Sequence, residues 1–229
     1  MKVGIIVAMG KELRLLLHLI ENLQTIESNG FTLHMGQIGK HKICAMQCGI
    51  GKVNAAIGTM TLIDTYSPEL VINTGVAGGA SEKVCQMDIV IGESIAYHDV
   101  WCGPGTKYGE ASGCPLLFES DTNIITLLKS SKFSDNLKFG LVCSGDKFIS
   151  QKEEIEFIQN NFPKVLAVDM ESAAIAQTCF VKHIPVFIAR IVSDTPGKEH
   201  DNVQQYENFW DSAPEHTFHI LSSILKNLE

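Results

Sequence analysis

The run Val186-Phe-Ile-Ala-Arg-Ile-Val192 carries a single charge, Arg190, among otherwise apolar side chains. An apolar run without polar alternation is the pattern of a strand buried on both faces. Such strands occur where helices cover both sides of a sheet, so this stretch already restricts the fold to a layered α/β arrangement. The run ends in Ser193-Asp194. In an open α/β sheet the C-terminal strand ends border the ligand crevice, which puts Asp194 where a carboxylate meets a substrate. The plain alternative is that Asp194 caps a turn or helix and Arg190 forms a structural ion pair.

Residues 2–8 read as another buried strand. The junction Met9-Gly-Lys-Glu12 leads from it into a helix with Leu13, Leu16, Leu17 and Ile20 on one face. Residues 31–38 and 41–47 around Gly39-Lys40 read as a hairpin. Cys48-Gly-Ile-Gly-Lys52 suits a tight turn opening a helix, with Val53, Ala56, Ile57, Met60 and Ile63 as its apolar face. Residues 70–79 read as a buried strand running into a glycine-rich turn, and residues 88–97 as a further strand. A strand at 137–143 opens into Ser144-Gly-Asp-Lys-Phe-Ile149, and a helix covers 151–160. The short apolar run 165–168 precedes Asp169-Met-Glu-Ser172 and an alanine-rich helix. A last helix places Phe218, Leu221, Leu225 and Leu228 on one face. Strands alternating with helices, and no Pro/Gly/Ser-rich linker, predict one α/β domain over residues 1–229 with a mixed, largely parallel twisted sheet.

Residues 98–118 form the longest irregular stretch and hold Trp101 and Tyr108. A loop of this length is functional or disordered, and its aromatic residues favour function or a subunit contact. A net charge of -8 without any lysine run argues against nucleic acid as a partner. No apolar run approaches the roughly 20 residues of a membrane span, so no membrane partner is expected. The short apolar N-terminus leads straight into a charged helical segment and reads as a strand, not a leader. The cysteines Cys44, Cys48, Cys85, Cys102, Cys114, Cys143 and Cys179 lack C-x-x-C spacing, which predicts buried reduced thiols in a cytoplasmic protein. His216 and His219 have no nearby cysteine or carboxylate cluster, so neither a metal nor another cofactor is expected.

Glu12, Glu171 and Asp194 share one kind of address, each following a strand. At one rim of an α/β sheet, carboxylates suit hydrolysis at a sugar anomeric carbon, where one acid serves the leaving group and one base the water. Carboxylates also stabilise the positive charge that develops there. The glycine turns do not form a P-loop or a strand-linked G-x-G-x-x-G.

Several strings occur together in order: Ala8-Met9 with Glu12, Gly49-Ile-Gly-Lys-Val53, Ile72-Asn-Thr-Gly-Val-Ala-Gly-Gly79, Ser144-Gly-Asp-Lys-Phe-Ile149, Ala167-Val-Asp-Met-Glu171 and Ser193-Asp194. As a set they resemble the 5′-methylthioadenosine/S-adenosylhomocysteine nucleosidases of the purine nucleoside phosphorylase superfamily, over residues 1 to 194. The resemblance implies a three-layer α/β/α domain, commonly a homodimer, that cleaves the adenine–ribose bond of small 5′-thio-adenosines with water. It implies Asp194 as the acid at adenine N7, Glu12 as the base for the water, and Glu171 on the ribose hydroxyls beside the Met170 backbone. Phe148 would stack on adenine and the Ile149 backbone meet its edge. Ser193 and Arg190 would support the acid and the water site. Ala77 and Gly78 would lie under ribose and base, with Ala8, Met9 and Ile50 completing the substrate contacts. Two departures stand out: Val76 replaces a common serine, and the 98–118 loop, which would reach a partner's 5′ pocket, reads His98-Asp-Val-Trp-Cys-Gly-Pro-Gly105.

Overall fold

The computed structural model describes residues 1–131, 137–196, 202–212 and 224–225. In chain order its elements are β1 (Lys2–Val7), α1 (Gly10–Leu17), β2 (Glu21–Ser28), β3 (Phe31–Ile38), β4 (His41–Gln47), α2 (Lys52–Tyr66), β5 (Leu70–Gly79) and β6 (Ile89–Tyr97). There follow β7 (Phe118–Glu119), α3 (Thr122–Lys129), β8 (Leu137–Ser144), α4 (Lys152–Asn161), β9 (Val165–Asp169), α5 (Ser172–Lys182), β10 (Val186–Asp194) and α6 (Asn202–Ser212).

Side chains of β10 alternate between two cores. Phe187 and Ala189 join α1 and α3 on one face, whereas Val186 and Ile188 join α2 and α5 on the other. The same split holds in β1, with Val3, Ile5 and Val7 on the first face and Ile6 on the second. Burial on both faces explains why these strands show no polar alternation, and it produces the three-layer α/β/α fold.

Strand β5 is the hub of the mixed sheet. It pairs in parallel with β1 and β10, and antiparallel with β9 through Gly78↔Val168 and Gly79↔Ala167. From β10 the pairing runs through β6, β8 and β9 back to β5, so five strands close on themselves. Strands β4, β3 and β2 extend outward from β1. The closed half gathers the ends of β5, β9 and β10 at one place, and there the carboxylates meet.

Several expectations need correction. Gly75–Gly79 is not a turn, because β5 stays extended to Gly79 between β10 and β9. Helix α1 ends at Leu17, and residues 21–28 form a fully solvated strand joined to β3 by Asn29-Gly30, both at positive φ. Asn-Gly is a strong two-residue hairpin signal. Helix α3 and strand β7 are further elements absent from the expected set.

Helix α2 forms as expected, but of its expected apolar face only Ile63 is buried and Ala56 half-buried. Ala55, Gly58, Thr59 and Leu62 face inward, while Val53, Ile57 and Met60 are exposed. Gly58 explains the rotation, because a Cβ there would lie 2.6 Å from Cys48 Cβ. The N-terminal part of the helix rests its small residues on the sheet, and Val53, Ile57 and Met60 point out. All seven cysteines are free, but Cys85 and Cys102 are exposed, contrary to the expected burial. The 98–118 stretch is irregular and packed, with Tyr108 edge-on to Phe157 at 5.4 Å between ring centroids. Phe218, Leu221 and Leu228 of the expected last helix, and His216 and His219, lie outside the described residues, whereas Leu225 is buried in the core. Among the described residues, no helix is long and apolar enough to cross a membrane.

Candidate active site

Glu12 sits in the first turn of α1, directly after β1, and is almost wholly buried. Its Oε2 accepts the backbone N–H groups of Ala8 at 3.0 Å and Met9 at 2.9 Å, and its Oε1 accepts that of Val76 at 3.1 Å. Val76 thus meets Glu12 through its main chain, while its side chain packs beside Ile191 and Phe209. Gly75 makes this seat possible, since an added Cβ would fall 2.4 Å from Glu12 Oε1. Burial raises the proton affinity of Glu12, and the Arg190 charge and the three N–H donors oppose that rise.

Glu171 follows β9 at the start of α5, and its Oε1 accepts the Gly51 N–H at 2.8 Å. Burial first, and the neighbouring Asp169 second, push its carboxyl up to about 7. Asp194 ends β10. Its Oδ1 accepts the Ser193 hydroxyl at 2.7 Å, its Oδ2 accepts the Asn202 amide at 3.0 Å, and burial raises its proton affinity.

These three carboxylates line one pocket with Ala8, Met9, Ile50, Ala77, Gly78, Phe148, Ile149, Met170 and Ser193. Arg190 is the one expected site residue that does not reach the pocket wall. Its Nε donates to Asp169 Oδ2 at 2.8 Å, and its Nη2 donates to Ser172 Oγ at 2.8 Å and to Asn73 Oδ1, all beneath the pocket floor. Val168, Asp169, Lys147 and Tyr206 also line the pocket without having been expected there. The Tyr206 hydroxyl lies 3.2 Å from Met9 Sδ, and its ring stands edge-on to Phe148 at 5.6 Å. Tyr206 lies one helical turn from Asn202, which holds Asp194, and that spacing was the sequence signal for α6 beside the site.

Trp101 is exposed and lies outside this pocket. The loop that carries it is anchored beside the site by Asp99, which takes Lys52 Nζ at 2.7 Å and the Asp146 N–H at 2.8 Å. Asp146 in turn accepts the Lys52 N–H at 2.7 Å, next to the Gly51 N–H that holds Glu171.

A pocket of carboxylates and apolar walls at the strand ends of a closed α/β/α sheet defines a protein of the phosphorylase superfamily, whose family profile matches residues 2–226. A 5′-methylthioadenosine/S-adenosylhomocysteine nucleosidase from Hydrogenovibrio crunogenus is 40% identical over 235 residues, covering 100% of both chains. The structure of such a nucleosidase from S. pneumoniae, bound to the transition-state inhibitor MT-ImmA, is 37% identical with a TM-score of 0.94 and covers 100% of both chains. A futalosine hydrolase from Helicobacter pylori shares the fold at a TM-score of 0.91 and 26% identity, over 99% of this chain and 98% of its own. The chain belongs to the 5′-methylthioadenosine/S-adenosylhomocysteine nucleosidase family, a family of N-glycosyl hydrolases.

Two consequences of this geometry can be measured. A methyl group at position 75 would occupy the place of Glu12 Oε1, so Gly75→Ala should expel the carboxylate while the core remains folded. If Glu12 is the base, turnover should fall by about 100-fold or more, within the usual contribution of a positioned acid or base. Steady-state kinetics with a circular-dichroism melt separates that loss from unfolding. The second concerns Glu171, whose carboxyl is raised from 4.5 to about 7. A raised acid favours folding below its unfolded value and loses that contribution as pH rises through the folded one. Glu171→Gln should therefore raise Tm at pH 8, where the wild type holds a buried charge, and change it little at pH 4.5. Equal shifts at both pH values would contradict the raised carboxyl.

Proposed function

We propose that this chain hydrolyses the N-glycosidic bond of 5′-methylthioadenosine and S-adenosylhomocysteine, releasing adenine and the matching 5-thioribose. The observation that carries the reading is one pocket receiving buried carboxylates from three separate elements, each held differently. Asp194 delivers the proton to adenine N7, and burial, which raises its proton affinity, favours the protonated carboxyl that an acid needs. Glu12 removes a proton from the attacking water, and the Arg190 charge beneath it favours the ionised state that a base needs. Glu171 accepts from the ribose 2′ and 3′ hydroxyls, with the Met170 backbone alongside. Its negative charge offsets the oxocarbenium-like charge on the sugar. Phe148, 41% exposed at the pocket mouth, stacks on adenine, and the Ile149 backbone meets the base edge. Ala77 and Gly78 floor the site, Ala8, Met9 and Ile50 flank the sugar, and Ser193 orients the acid.

Phosphorolysis is the rival reaction on this fold, and it requires a cationic anion site. The chain has two arginines, Arg14 and Arg190. Arg14 is exposed on α1, and the Arg190 guanidinium is engaged with Asp169, Ser172 and Asn73. Lys147, the lysine lining the pocket, pairs with Glu154. An anion about 4 Å from the Glu12 carboxylate would cost on the order of 4 kcal/mol at an effective dielectric near 20. Water meets no such repulsion.

The test is adenine release in phosphate-free buffer from methylthioadenosine, S-adenosylhomocysteine, aminofutalosine and adenosine. Full turnover of the two thio-nucleosides without phosphate is expected, and Asp194→Asn should lose about 100- to 10,000-fold while still binding nucleoside. Strict phosphate dependence would move the chain to the phosphorylases. A clear preference for aminofutalosine would assign it the sibling hydrolase activity.

The active unit in this reading is a homodimer. Val53, Ile57 and Met60 of α2, Phe180 and Val181 of α5 and Trp101 of the long loop are all exposed. An apolar surface of this kind suits a subunit contact. Ile57 is 52% exposed, so Ile57→Glu should leave the protomer folded yet yield monomers by light scattering. A wild-type protein that is monomeric and fully active at low concentration would overturn the dimer.

A further inference from the structure

Asn202 stands at the first position of α6 and is buried, although no substrate role calls for an amide there. Its Nδ2 donates to Asp194 Oδ2 at 3.0 Å and to the Ile149 carbonyl at 3.2 Å. The other Asp194 oxygen is taken by Ser193, whose hydroxyl also lies 3.3 Å from the Ala77 carbonyl. We infer that Asn202 is a positioning residue for the acid: it fixes the plane of the Asp194 carboxyl against the adenine-edge segment at Ile149 and stabilises the carboxylate left when the proton departs. The inference rests on the reading of Asp194 as the acid.

The chemistry follows from what the amide can do. Nδ2–H only donates, so its bond to Oδ2 is strongest when Asp194 is ionised. A donor of this kind lowers the proton affinity of a carboxyl that burial has raised, and makes Asp194 a better proton source. The ionisable groups sharing the pocket are Glu12, Asp169, Glu171, Lys147 and Tyr206, with Arg190 beneath the floor. Burial pushes Asp194 toward its protonated form, and the amide is the local counterweight, together with the Ser193 hydroxyl.

The experiment follows the Asp194 carboxyl directly, by ¹³C NMR titration of the full chain labelled at aspartate and assigned from the signal lost in Asp194→Asn. Asn202→Ala should raise the Asp194 midpoint by about one pH unit, the size expected for losing a hydrogen bond to a charged group. Asn202→Asp keeps the shape but substitutes an acceptor, and should raise the midpoint further. Both variants should lose about ten-fold in kcat, and the acid limb of the rate profile, set by the groups that must be ionised, Glu12 and Glu171, should stay in place. An unmoved midpoint in the folded Asn202→Asp protein would overturn the inference, even where kcat falls. If instead Asp194→Asn retains turnover, the reading of the acid fails, while the midpoint still decides whether Asn202 governs that carboxyl.

Discussion

The buried pair Arg190–Asp169 is the constraint on which the site depends. Both side chains are 2% exposed, and their Nε–Oδ2 contact is 2.8 Å. Around it, Ser144 donates to Asp169 Oδ1, Ser172 donates to Asp169 Oδ2, and Asn73 accepts from Arg190 while donating to the Ile6 carbonyl. The network therefore joins β1, β5, β8, β9, β10 and the start of α5 under one pocket. Paired buried charges add little net stability, but removing one partner typically costs about 3–5 kcal/mol because the other is left uncompensated. Its value here is geometric. A unique pairing at the crossing of these strands fixes where Glu171 and Asp194 emerge, and Arg190 reaches Glu12 electrostatically without touching the pocket.

Three carboxylates in one pocket have their proton affinities raised by the same burial but corrected by different neighbours. Glu12 is corrected by Arg190 and three backbone donors, Glu171 by one backbone donor and the same Arg190 against the repulsion of Asp169, and Asp194 by two side-chain donors. Such unequal correction lets chemically similar groups take different protonation states. It also explains why charge is concentrated on a pocket that otherwise presents Ala8, Met9, Ile50, Val76 and Phe148.

Much of this was legible in the sequence, for identifiable reasons. Strands β1, β5 and β10 are buried on both faces, so their composition alone distinguishes them, and a carboxylate after such a strand has few places to go. Strand β2 was illegible because it is solvated on both faces and carries no apolar alternation. Gly75–Gly79 misled because glycine usually punctuates. Here its missing side chain makes room for the Glu12 oxygen and for close pairing with β9 and β10. The outward turn of α2 depends on Gly58 meeting Cys48, a tertiary contact that periodicity does not encode. Tyr206 reaches the pocket, and Asn202 the Asp194 carboxyl, only because α6 docks beside them.

The ring of pairings from β5 through β10, β6, β8 and β9 also decides how this protein avoids sticking to itself. Closure gives each of those strands hydrogen-bonding neighbours, so the half of the sheet that holds the chemistry offers little template for an incoming strand. The open edge is displaced to the far end of the wing, at β2, which is solvated along its length and carries Glu21 and Glu27. Carboxylates on an exposed edge repel a second copy laid beside it, so β-type aggregation is discouraged at this long open edge.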